Sequence, residues 1–343
     1  MSNQRHHLFG VGPALALGLL TLAWAASASP VGAPGANPAW PPPPQAPRVA
    51  YVQSLTRPTD AGIRPPVWRR LGNWITGAQT GNEPFVRPFG LALDENDNLC
   101  LTDTGAGAVG YLDFTRKKWS YWTSVSRLKF VMPVAVAKQN HTFYVADSAL
   151  GAVIVFNEKG RLLFKITNGL TRPTGLAISK DRLFVADSQR HCMVVFDLAG
   201  HPVFHFGKRG DGPDEFNFPT HVAADRAGHV YVTDSINYRV EVFDATGRFL
   251  SQIGSAGDSF GQFSRPKGAA VDSQGHVYVV DAIFGNVQIF TPEGQLLLDV
   301  GEAGQNAGQF WLPNGIAISR SGRIYISDVF NHRIQVLKYL GQP

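Results

Sequence analysis

Short runs of alternating apolar and β-branched residues recur along most of this chain, separated by turn-forming residues. The pattern is plainest between Pro219 and Ile253. Residues 219–224 lead to a turn at Asp225-Arg226-Ala227-Gly228, then come 229–234, a loop, 239–243, a second turn at Ala245-Thr246-Gly247, and 248–253. Such runs, five or six residues long and bounded by Gly, Asp and Pro, predict strands. One unit therefore predicts four antiparallel strands and no helix.

The unit repeats. An apolar-x-apolar-x-Asp motif ends at Asp103, Asp147, Asp187, Asp234, Asp281 and Asp328, at separations of 44, 40, 47, 47 and 47 residues. A second anchor, a proline before a small apolar run, recurs at Pro88, Pro133, Pro173, Pro219, Pro266 and Pro313. Repeats of this period, each a four-stranded antiparallel sheet, predict an all-β six-bladed β-propeller. The sixth unit holds three strands, the last at 333–338, while residues 48–55 are patterned like a fourth strand and precede the first unit. They are expected to complete blade six, which pairs the two ends of the chain and removes exposed sheet edges.

Stretches such as Gly228-His229-Val230-Tyr231-Val232-Thr233-Asp234, followed by Asn237-Tyr238-Arg239-Val240-Glu241-Val242-Phe243-Asp244, resemble NHL repeats. The resemblance covers residues 84–340 and is strongest in units four to six. Units one to three lack the Gly-rich opening loop, and Ala108, Ala152 and Cys192 stand where the motif has Arg. The resemblance implies an exported, bacterial-type NHL propeller, and it supports the fold more than any shared site.

Ahead of the repeats, residues 1–28 read as a secretory signal. Arg5 gives a positive start, an apolar run follows from Leu8 to Trp24, and Ala26-Ser27-Ala28 is a small-x-small cleavage site. The expected location is secreted or periplasmic, with no membrane span after cleavage. Residues 29–47 are Pro-, Ala- and Gly-rich, with consecutive prolines from Pro41 to Pro44, and are expected to form an extended linker outside the fold. The propeller is assigned to 48–343. Between closing strand and first blade, Val67, Trp68, Leu71, Trp74 and Ile75 recur at helical spacing after Pro65 and Pro66, so a short helix is expected at about 65–76.

Composition narrows the chemistry. Two cysteines, Cys100 and Cys192, without a Cys-x-x-Cys motif, argue against disulfide frameworks, thiolate zinc and redox dithiols. A net charge of +5 is too mild to imply nucleic acid unless concentrated on one face. The six repeated aspartates read as a turn device in which each carboxylate takes nearby backbone amides. The Gly-rich stretches 207–212, 254–261 and 301–308 lack the Gly-Lys-Ser/Thr of a phosphate loop, and instead precede Phe216, Phe263 and Phe310, which are expected to plug into the next blade.

Histidine decides between two readings. Some six-bladed relatives of the NHL type, the peptide-amidating lyases, hold zinc with several inner-strand histidines, and catalytic zinc needs about three convergent ligands. Here only His221 lies on an inner strand, where other units have Gly90, Gly175, Gly268 and Gly315, and Asn314 is the one amide candidate nearby. No metal site, cofactor or catalytic set is therefore assigned.

Fourth-to-first and second-to-third connections of a propeller share one face, and there the composition is uneven. Arg87, Arg172 and Arg265 directly precede opening prolines, Lys129 and Lys267 lie nearby, and Arg190, Arg239 and Arg333 come from the other connections. Aromatic Tyr238, Phe284, Trp311 and Phe330 are interleaved. Together with His221 and Asn314 these define a candidate binding face for a protein or an anionic ligand. The expectation is a monomeric, non-catalytic scaffold with no nucleic-acid partner; the alternative is a channel-site hydrolase or lyase. Arg239 and Arg333 are the two expected to act mainly as structural ties.

Overall fold

The computed structural model describes residues 37–63 and 82–341. All of these belong to the second of two compact units, Gly35–Pro343. The secretory signal at 1–28, the start of the linker and the helix expected at 65–76 lie outside the described residues.

Six antiparallel sheets stand in sequence order. Their inner strands are Pro88–Leu93, Pro133–Gln139, Pro173–Ser179, Pro219–Ala224, Pro266–Val271 and Pro313–Ile318. Each inner strand touches the next and the sixth touches the first, so the ring is closed around a central channel. The chain steps outward through each blade, and the repeated aspartate ends the second strand in every one. The second and third strands are buried almost throughout, because both of their faces pack against neighbouring blades.

Glycine sets how tightly the inner strands meet. A Cβ on Gly90 would lie 2.4 Å from the Val134 carbonyl oxygen, and one on Gly315 would lie 2.3 Å from that of Phe89. Only glycine permits such an approach of backbone to backbone. Farther out, Phe216, Phe263 and Phe310 are fully buried in the seams between blades. Each contributes on the order of 2–3 kcal/mol by burial. The Gly-rich loops before them serve this packing rather than a phosphate.

The ends meet as expected. Val49–Leu55 pairs antiparallel with Arg333–Tyr339, from Val49 opposite Tyr339 to Leu55 opposite Ile334. One detail differs from the sequence reading. Part of the segment read as an external linker is built into the sheet: Ala39–Trp40 forms a fifth strand on Val49–Leu55. Trp40 packs on the apolar cluster between blades five and six, which explains the addition. No described helix is long and apolar enough to cross a membrane.

Candidate functional site

The repeated aspartates build the loop face. Asp281 is fully buried and accepts hydrogen bonds from the backbone N–H groups of Ser264 (2.7 Å), Arg265 (2.9 Å), Ile283 (2.9 Å) and Phe284 (3.1 Å). Asp103 does the same for Val86, Arg87, Gly105 and Ala106 at 2.8 to 3.1 Å. Asp147 and Asp187 likewise take both residues before their opening prolines, while Asp234 and Asp328 take one, Asn217 and Trp311, and each carboxylate also holds the turn after its second strand. A buried anion satisfied by backbone donors is stable where a bare one would be costly. The six aspartates therefore fix the rim and are not exposed to a ligand.

What they hold outward is apolar and cationic. Val86, Val131, Met132, Phe218, Trp311 and Leu312, all within the two residues before opening prolines, are exposed. So are Leu150, Ile236, Ile283 and Phe330 in the second-to-third connections. Trp311 (47% exposed) and Phe330 (40%) lie against each other with centroids 5.7 Å apart and planes tilted by 40°, and Arg87 lies 5.6 Å over the Phe330 ring. Arg172, Arg190 and Arg265 are exposed on the same rim, as is Lys129 on a two-stranded ribbon leading into blade two. Among the described residues none of Arg87, Lys129, Arg172, Arg265 or Lys267 stands within ion-pair distance of a carboxylate. Neither the residue pairs before the opening prolines nor the second-to-third turns contain Asp or Glu beyond the buried repeat position. Tyr238 sits deeper, half-buried against the seam between blades four and five, and Phe284 is also half-buried. Arg190 is tethered to the Gly169 carbonyl.

Arg239 and Arg333 serve the scaffold. Arg239 is buried and donates to the carbonyls of Asp211 (2.8 Å), Gly212 (2.7 Å) and Glu215 (2.7 Å). Arg333 donates to those of Asn306 (2.7 Å) and Gln309 (2.9 Å). Each pins one Gly-rich loop.

Inside the rim three of the sequence-derived residues converge at the channel mouth. Ser235 Oγ–H donates to the Pro266 carbonyl (2.7 Å), so that oxygen accepts the Thr220 hydroxyl (2.7 Å). The Thr220 oxygen then accepts from His221 Nδ1–H (3.1 Å). This chain places the proton on Nδ1 and leaves Nε2 as an acceptor, which receives Asn314 Nδ2–H at 3.1 Å. The Phe89 carbonyl, 3.4 Å from the same amide nitrogen, orients the Asn314 side chain. Burial, aided by the charge of Lys267, pushes the His221 imidazole down to about 3, so it is neutral at any physiological pH. Burial and then Arg265 lower the Lys267 ammonium to about 8, with Asp281 opposing. A cavity of about 40 Å³ opens beside His221, lined by Gly90, Gly175, Gly268 and Gly315. The channel continues into a space of about 240 Å³ lined by the later residues of the inner strands, Lys138 among them. Among the described residues no three His, Cys, Asp or Glu side chains are placed to share a metal.

Sequence reasoning missed a polar network on the opposite face. Lys138 follows the apolar run of the inner strand Pro133–Gln139, with a side chain only 2% exposed. Its ammonium meets Asp94 (3.1 Å) of blade one and Glu158 (3.2 Å) of blade two, and donates to the Asn140 carbonyl. Asp94 also accepts the Tyr111 hydroxyl at 2.7 Å. A cavity of about 170 Å³ borders the network. The available signal was a lysine directly after Val134-Ala135-Val136-Ala137.

With ring and rim established, the class is plain: this is a six-bladed β-propeller. It carries NHL repeats, the family matching residues 216–243, 263–290 and 310–337, and a family described as a 6-bladed beta-propeller matches 167–229. No curated protein matches the chain. Among solved structures it is similar to a streptogramin B lyase (TM-score 0.55, 13% identity, covering 75% of this chain and 94% of that one). It is similar also to an auxiliary nutrient binding protein from Bacteroides thetaiotaomicron VPI-5482 (TM-score 0.59, 14% identity, 75% and 70% covered). A third is hydrazine synthase of Kuenenia stuttgartiensis (TM-score 0.55, 19% identity, 74% and 77% covered). At these identities the likeness is one of fold alone.

Proposed function

We propose that the protein is an exported, non-catalytic propeller that presents its loop face to an acidic, aromatic-bearing protein segment. The observation that carries this reading is the rim: exposed apolar side chains interleaved with cations that have no carboxylate partner among the described residues. The rim differs from surfaces such as the Asp244 and Asp181 turns, where Arg248 and Arg182 stand beside carboxylates, in that its residue pairs and turns hold no exposed Asp or Glu. A rigid surface of this composition suits the aromatic and cationic anchoring common at binding sites. Export is supported by the signal pattern in residues 1–28. An immobilised copolymer of glutamate and tyrosine tests the face directly. Charge reversal of Arg87, Arg172 and Arg265 to Glu should weaken retention of the full chain at least tenfold, and raised salt should weaken wild-type retention. Unchanged retention in the triple variant would sink the proposal.

A second reading, a channel-site lyase or hydrolase, is favoured by His221, whose tautomer and acceptor nitrogen are fixed at the mouth. Among the neighbours of like fold, an H270A form of the virginiamycin B lyase of Staphylococcus aureus is described as catalytically inactive. If this chain turns over lactones or cyclic esters, His221→Ala should abolish turnover while leaving retention on the acidic copolymer intact. Turnover undiminished in that variant would dismiss this reading.

A further inference from the structure

The channel mouth is chemically distinct from the rim around it. Lys267 is a half-buried cation with no carboxylate within ion-pair distance among the described residues, which is a costly arrangement for a charge that water only partly reaches. It directly precedes Gly268, which lines the cavity beside His221, and there the single acceptor nitrogen of His221 and the amide of Asn314 are engaged only with each other and with one backbone carbonyl. The tautomer is not free to change. The chain from the Pro266 carbonyl through Ser235 and Thr220 consumes every hydroxyl proton along the way and leaves Nδ1–H as the only remaining donor.

From this juxtaposition we infer that the mouth is a subsite for an end group in which a carboxylate adjoins a hydrogen-bond donor, the chemistry of α-hydroxy acids and of α-amido acids such as a peptide C-terminus. The ligand's O–H or N–H displaces Asn314 from His221 Nε2. The released Asn314 N–H and the Lys267 ammonium then take the carboxylate. One internal hydrogen bond is given up and three are formed, one of them an ion pair. A carboxylate without the neighbouring donor either leaves the acceptor nitrogen of His221 facing an anion, losing one contact, or leaves Asn314 where it is, losing two of the three. The inference stands apart from the rim proposal, since small probes need no contact with Arg87, Arg172 or Arg265, and it holds whether or not chemistry follows binding.

The test uses the full chain labelled with ¹⁵N, with glycolate, N-acetylglycine and acetate as probes. Glycolate or N-acetylglycine should shift the Nε2 resonance of His221 while Nδ1 stays protonated, and should bind at least tenfold more tightly than acetate. Lys267→Met should weaken the preferred probe by more than tenfold, with circular dichroism confirming that the variant is folded. Tighter binding of N-acetylglycine than of glycolate would identify a chain terminus as the source; the reverse order would identify a small hydroxy acid. Acetate binding as tightly as both, or a wild-type His221 resonance that none of the probes moves, would overturn the assignment without touching the rim proposal.

Discussion

Glu241 occupies the register that Gln288 and Gln335 hold in blades five and six. The glutamines each accept one backbone N–H and donate to one carbonyl of a Gly-rich loop: Gln288 takes Gly261 N–H and gives to Gln262 O, and Gln335 takes Gly308 N–H and gives to Gln309 O. A carboxylate has no donor to offer, and Glu241 is fully buried. Arg239 Nη2 lies 3.0 Å away but donates to the carbonyls of Gly212 and Glu215. Burial dominates, outweighing Arg239, and with Asp234 and Asp214 it raises the Glu241 carboxyl to about 8. At neutral pH the group therefore holds a proton, and imitates glutamine. The sign follows from the folded state binding that proton more tightly than the unfolded chain does. The stabilisation is complete below the ordinary value near 4.5 and is lost as pH rises through about 8. Glu241→Gln should match wild type near pH 4 and be more stable by roughly 1–3 kcal/mol at pH 9. Urea denaturation at the two pH values reads the difference, and parallel curves for the two proteins would refute the protonated state.

At the scale of blades, the structure contains two kinds of tie, and the sequence revealed them unequally. Units four to six are held by Gly-rich loops, buried phenylalanines and, in blades four and six, arginine clamps. All of these recur at one period, so comparison of one unit with the next exposes them. Blades one and two lack that device and use Lys138 with Asp94 and Glu158 instead, partners that lie 44 and 20 residues away in the chain and share no repeat position with it. Nothing periodic marks such a network. The same holds for the tautomer of His221: its position was legible from the repeat, but the hydroxyl chain that fixes it depends on Ser235 meeting the next blade's backbone. The rim cations were legible because they stand beside the opening prolines, whereas Tyr238 and Phe284 were read as free face and are partly taken up by packing. The Lys138 tie has a measurable consequence. Burial opposes the ammonium, but its bonds to Asp94 and Glu158 prevail and hold it above the usual lysine value. The five sister positions are apolar, namely Leu93, Ile178, Ala224, Val271 and Ile318. Lys138→Met supplies that apolar bulk but removes the cation beside Asp94, which keeps its hydrogen bonds from Tyr111, Asn96 and Asn98, and should destabilise the fold by about 1–3 kcal/mol. Adding Asp94→Asn and Glu158→Gln should recover part of the loss. A single variant as stable as wild type would show that the network carries no net stability.

For the whole molecule, closure rests on one latch. Five blades are formed by contiguous chain, but the sixth takes its fourth strand from residues more than 270 positions away from its third, as Leu55 pairs with Ile334. Such a contact is the hardest to form from the unfolded chain, since the loop it closes spans nearly the entire propeller. While it is open, the third strand of blade six offers an unpaired edge and the seam with blade one loses its cover, so opening of the latch is the step through which the ring would come apart. A cross-link at the latch isolates this effect. Ala50 and Lys338 face each other in the antiparallel register, with side chains only partly buried, and paired residues of such a ladder lie within the Cα separation a disulfide requires. Cys100 and Cys192 are both buried, which keeps them from competing for the new pair. Oxidised Ala50→Cys/Lys338→Cys protein should exceed its own reduced form by about 2–4 kcal/mol in stability and unfold more slowly. The gain should appear chiefly in the unfolding rate if release of the strand precedes loss of the blades. Equal unfolding rates and midpoints in the oxidised and reduced forms would mean that the ring opens at another seam, where the first three blades, lacking the arginine clamps and Gly-rich loops, would be the place to cross-link next.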